Sequence, residues 1–84
     1  MIASILTIPQ APSPAGDEFF LRFVREADGV LHAYQLETDD EVVVVTIWIS
    51  TEKRDVFMGT ELRDDIDTAF AGSTRKVFTV RNMR

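Results

Sequence analysis

Cysteine is absent from these 84 residues, and histidine, tryptophan and tyrosine each occur once. Disulfides and thiolate metal sites are thereby excluded. A lone imidazole also argues against structural zinc, whose tetrahedral sites draw on several Cys or His ligands; no metal is expected. Basic residues are scarce, 9 against 14 acidic, for a net charge of −5. They pair only at Lys53-Arg54 and Arg75-Lys76, too few for an electrostatic footprint on phosphate. Nucleic acids and anionic membranes are therefore not expected partners. No apolar run approaches the ~20 residues of a membrane span. The apolar start, Met1 to Ile8, lacks the positive flank and length of a signal peptide. A cytoplasmic protein is the expectation.

What is present reads as one domain, residues 1–84, because a chain this short has no room for a second core. Such a domain buries only about 60–65% of the surface its unfolded chain exposes. Short chains are commonly supplemented by disulfides, a metal or a partner subunit. With the first two excluded, association remains.

Ile2, Ile5, Leu6 and Ile8 read as a first strand stopped by Pro9, which cannot donate to a ladder. Ser13 before Pro14 suits an N-cap and first helical position, with Asp17 as a competing cap. Phe20, Phe23, Val24 and Ala27 then recur at helical spacing as far as Asp28-Gly29, where glycine can take the left-handed position. Val30 to Leu36 reads as a second strand, and Thr38-Asp-Asp-Glu41 as an acidic turn. Val42 to Ile49 is a third strand whose only polar residue is Thr46. Ser50 or Thr51 caps a second helix that Gly59 kinks or interrupts and Gly72 ends. Val77, Phe78 and Val80 form a last strand.

The order β-α-β-β-α-β is that of ferredoxin-like α+β domains. It implies a four-stranded antiparallel sheet with two helices on one face, since right-handed crossovers put both on the same side. The other face is then left open. Yet the third strand is apolar on both faces, which is expected where both are covered. Leaving half of it in water would forgo roughly 1.5–3 kcal/mol per large side chain. A second copy stacked sheet on sheet is the simplest cover; the alternative is that loops or the C-terminus fold over it.

The stretch Gly29-Val-Leu-His-Ala-Tyr-Gln-Leu36, the acidic turn, and Val42-Val-Val-Val-Thr-Ile-Trp-Ile-Ser50 before a helix resembles antibiotic biosynthesis monooxygenase-like domains. These belong to the dimeric α+β barrel superfamily, and the Trp48-Ile49-Ser50 phrase is the distinctive part. The resemblance implies a homodimer through the open sheet face and a pocket between sheet and helices. It further implies cofactor-independent oxidation of an aromatic, polyketide-like molecule, with no cofactor. Haem-degrading members pair the strand-three Trp with an Asn on strand one and a His on helix two. Strand one here has no Asn, and Phe57-Met58 stands where the His would be. That scheme is excluded.

His32 is the one side chain whose charge ordinarily switches near neutrality, so acid–base chemistry looks to it first. Tyr34 offers a phenol two residues on, and Trp48 a surface for stacking. The expected catalytic residues are therefore His32, Tyr34 and Trp48, with Phe20, Phe23, Phe57 and Met58 lining the ligand pocket. Each has a plainer structural reading as core or interface, and a non-catalytic dimeric module with a filled core is the competing function. A two-residue Asp39-Asp40 loop would put His32 opposite Ile47 and Trp48 on the other face; one residue more or fewer reverses this. Matching Val30, Tyr34 and Leu36 with Val43, Val45, Ile47 and Ile49 favours the two-residue loop. The acidic cluster Asp64, Asp65, Asp67 reads as a solvated helix face rather than a cation site.

Overall fold

A computed structural model describes residues 1–84. The chain forms β1 (Ile2–Ile8), α1 (Pro14–Glu26), β2 (Val30–Glu37), β3 (Val42–Trp48), α2 (Thr51–Met58), α3 (Glu61–Ala69) and β4 (Thr74–Thr79). The strands make one sheet in the order β2-β3-β1-β4, and every neighbouring pair is antiparallel. This is the ferredoxin-like arrangement expected from the element order.

Local chemistry accounts for the helix ends. Ser13, not Asp17, caps α1, its hydroxyl accepting from the Gly16 N–H at 3.1 Å. Pro14 fills the first turn, where its missing N–H costs nothing. Gly29 follows the helix with φ +85, the left-handed conformation that disfavours a Cβ. The expected second helix is two separate helices. Gly59 ends α2, and Thr60 opens α3 by accepting from the Arg63 N–H at 3.3 Å while donating to the Phe57 carbonyl at 2.6 Å. A hydroxyl that closes one helix and caps the next turns an expected kink into a break. The last strand begins at Thr74, ahead of the apolar Val77 and Phe78.

The β2–β3 turn is the two-residue loop: the Thr38 N–H donates to the Glu41 carbonyl at 2.9 Å, and Glu37 pairs with Val42. His32 therefore stands opposite Ile47. A bulge between Val30 and His32 departs from simple alternation, so that Val30 pairs with Trp48. Val30 thus leaves the face expected for it and packs against the core.

The two sheet faces are now unequal. Toward the helices point Ile2, Ser4, Leu6 and Ile8 of β1 and Val42, Val44, Thr46 and Trp48 of β3, by the period of two. The core gathers Ile2, Ile8, Val42 and Trp48 with Phe23 of α1, Phe57 of α2, Leu62 and Ile66 of α3, and Phe70. Trp48, 1% exposed, is its largest fully buried side chain. Charge ties the outer helices down: Arg22 of α1 reaches Asp65 at 3.2 Å, and Asp67 receives Arg63 and Arg75. The acidic face expected to be merely solvated thus anchors α3 to α1 and β4.

The candidate functional site

Two surfaces emerge from this arrangement, one on each side of the sheet. On the helix side a crevice runs between the sheet and α1, floored by β1 and β3 and closed by Ile66 and Phe70. Its cavity measures about 60 Å³, and the rest of the crevice opens to solvent. That space suits about two waters, so the crevice is open at its mouth and narrow at its floor.

Its apolar wall is a set of aromatic rings in edge contact. Phe23 meets Trp48 at 5.9 Å between centroids and Phe57 at 5.1 Å, with interplanar angles of 71° and 69°. Trp48 and Phe57 lie 5.5 Å apart. Such contacts fix ring orientation through the aromatic quadrupole. Phe20, Phe23, Phe57 and Trp48 all line the crevice. Met58 does not; it packs against the core from outside it.

Polar groups also line it: Ser4, Gln10, Ser13, Gln35, Thr46 and Arg75. The indole N–H of Trp48 donates to the Ser4 hydroxyl at 3.0 Å, a diagonal cross-strand contact. Thr46, 2% exposed, is the one buried polar residue. The sequence marks it as the single polar residue of an apolar strand. Gln35 donates to Asp17 at 2.9 Å, and Arg75 is held by Asp67. Each end of the crevice thus has its polar group already partnered.

His32 and Tyr34 are on the other side of the sheet. Their rings are nearly parallel, 14° apart in plane with centroids at 6.5 Å. Pairing sets this open face out in three rows: His32–Ile47–Ala3–Phe78, then Tyr34–Val45–Ile5–Lys76, then Leu36–Val43–Thr7–Thr74. Neither a loop nor the C-terminus covers it, since Tyr34, Leu36 and Phe78 remain about half exposed. None of the chain's 14 acidic residues falls in these rows. The structure therefore does not bring His32 and Tyr34 to Trp48: the sheet separates them.

At the rim of β2, Lys53 and Asp28 pair at 2.5 Å. The hydrogen bond and charge of Lys53 hold the Asp28 carboxyl below its ordinary range, and Asp28 raises the Lys53 amine in return. The Arg22 guanidinium is likewise raised, by its bonds to Glu26 and Asp65. These groups serve the scaffold and lie outside the crevice. No cluster of His, Asp or Glu is placed to hold a metal ion, and no helix is long and apolar enough to cross a membrane.

The fold is shared with solved monooxygenases. SnoaB, a cofactor-independent oxygenase of Streptomyces nogalater, superposes with TM-score 0.77 at 17% identity, covering 98% of this chain and 94% of its own. An antibiotic biosynthesis monooxygenase gives 0.78 at 14%, covering 98% and 100%. A Streptomyces coelicolor monooxygenase, solved with Nanaomycin D, gives 0.67 at 22%, covering 99% and 89%. No family model and no curated protein sequence matches the chain. At these identities the likeness is one of fold.

Proposed function

We propose that this chain is a small homodimeric domain of the antibiotic biosynthesis monooxygenase-like kind that binds a planar aromatic molecule in the crevice and oxidises it without a cofactor. The observation that carries the reading is the crevice itself, an open apolar slot walled by Trp48, Phe23 and Phe57 in a fold otherwise found in such oxygenases. Trp48 and Phe23, in edge-to-face contact at 5.9 Å, form one wall of the slot against which an aromatic ligand can be oriented. Phe20 lines the slot with them. Substrate pre-orientation is a service such a site offers to a reaction of an electron-rich ring with dioxygen.

The open face is the dimer surface in this reading. Ile5, Val43, Val45 and Ile47 line its centre, and each copy carries a net charge of −5 that repels another copy at long range. The acid-free rows are where two copies meet without setting carboxylate against carboxylate. His32 and Tyr34 belong to this surface, and their role is association rather than ring chemistry. The chain is taken to work in the cytoplasm, consistent with its lack of cysteine.

A second reading rests on the narrow floor of the crevice. About 60 Å³ of water-sized space is less than the ~150 Å³ of an engineered cavity that admits benzene. A non-catalytic dimeric module would have this packing. Oxygen uptake with an anthrone, which takes up dioxygen to give the anthraquinone and water, separates the two. The enzyme reading expects uptake faster than the uncatalysed background and lowered by Trp48→Ala; no acceleration favours the module. Light scattering on the eluting protein tests the dimer, and a stable monomer at micromolar concentration overturns it.

A further inference from the structure

Two hydroxyls at the floor of the crevice lack an assigned task. Ser4 and Thr46 are direct partners across the β1–β3 ladder, and both point to the helix side. The Ser4 oxygen accepts the Trp48 indole N–H at 3.0 Å. That bond occupies a lone pair and leaves the Ser4 hydroxyl proton free to donate. Thr46 is 2% exposed, yet none of the side-chain hydrogen bonds of the chain reaches it. Arg54 Nε is the one buried side-chain polar atom left without a partner, so the Thr46 hydroxyl, unbonded within the chain, opens onto the crevice space; valine would fill the same volume and offer no hydrogen bond there.

The other polar groups of the crevice are engaged or peripheral. Ser13 caps α1, Gln35 bonds Asp17, Arg75 bonds Asp67, and Gln10 sits on the exposed connection after β1. Only Ser4 and Thr46 therefore offer free hydrogen-bonding capacity at the centre of an apolar slot. Their Cα atoms are about 4.5–5.5 Å apart, as ladder partners are, so two hydroxyls can converge on one oxygen.

We propose that Ser4 and Thr46 form an oxygen-recognition spot that receives a carbonyl or phenol oxygen of the aromatic ligand, and that Thr46 determines specificity for it. This rests on the ligand-binding reading of the crevice. Trp48 is tied to the spot through Ser4, so the ring that orients the ligand and the groups that read its oxygen are held as one unit.

The test compares 1-naphthol with 1-methylnaphthalene, equal in shape and differing in the oxygen, by calorimetry on the full chain. The wild type should bind 1-naphthol roughly tenfold more tightly, the worth of one to two net hydrogen bonds. Thr46→Val should erase that preference, leave 1-methylnaphthalene binding unchanged and leave folding stability equal or higher. Thr46→Ser should keep the preference. Ser4→Ala should weaken 1-naphthol binding and also shift the indole N–H resonance of Trp48, the one tryptophan of the chain, which a merely structural Thr46 substitution would not do. If both probes bind the wild type equally, or Thr46→Val lowers both alike, the oxygen spot is overturned and the crevice reading stands. If neither probe binds, both fall.

Discussion

Replacing Val45 by aspartate should abolish the proposed dimer while leaving a folded monomer. Val45 occupies the middle row of the open face, flanked by Tyr34 and Ile5. It is partly buried within one copy, so a covering copy removes only the minor part of its apolar surface still in water. That part is worth about 0.5–1 kcal/mol, a fraction of the 1.5–3 kcal/mol of full burial. By symmetry the loss occurs twice. The larger effect is the carboxylate, which would be buried in both copies with no cation opposite except Lys76 of the same row. The effective penalty for an ion taken out of water is several kcal/mol, only partly repaid by a partner. A total of at least about 4 kcal/mol corresponds to a dissociation constant weakened about a thousandfold. The monomer loses only the partial contact and some strand preference, about 1 kcal/mol in urea unfolding. Light scattering during size exclusion reads the first effect and urea titration the second. Val56→Asp, on the strongly exposed side of α2, is the control and should stay dimeric. A Val45→Asp protein that keeps the wild-type size would refute the assignment of this face as the interface.

Other outcomes follow from the scaffold. Gly29→Ala should destabilise by about 2 kcal/mol or more, because φ is +85 and an added Cβ would lie 2.5 Å from the Lys53 side chain; a change of only a few tenths in urea would sink that account. Asp67→Asn should cost about 1–2 kcal/mol, since this partly buried carboxylate receives Arg63 at 3.1 Å as well as Arg75, and thermal melts should show it. The Asp28–Lys53 pair sets a pH window with opposite limits. The Asp28 carboxyl is lowered, so its contribution is present above the ordinary carboxylate pKa and fades as pH falls below about 4. Lys53 is raised, so its share is present below about 10.4 and is lost as pH rises through its folded value. The pair is exposed and weak, and Asp28→Asn should differ from wild type in melting temperature at neutral pH, with the gap closing in acid and in high salt. A gap independent of both would rule the pair out as its source.

The contrast between what was legible in the chain and what was not has a physical basis at particular residues. Periodicity places Phe23 in α1 and the alternation of β1 and β3 on the sheet, because local spacing alone decides which side chains share a face. The break at Gly59–Thr60 was harder to read, as it depends on the Thr60 hydroxyl reaching backbone groups on both sides. The bulge at Leu31 is invisible to any alternation rule, and it turns Val30 to the core while leaving His32 on the open face.

The order of elements, the two apolar faces of Val42–Ile49 and the crevice aromatics were thus determined by the sequence through short-range pattern. Only tertiary structure decided which chemistry those residues share. The two-residue turn put the sheet between His32 and Trp48, and the β1–β3 pairing brought Ser4 to the indole N–H. A slip of one residue exchanges every side chain between the faces; the apolar pattern of β2 and β3 already favoured the observed turn register, whereas the β1–β3 pairing is long-range and comes from the tertiary fold.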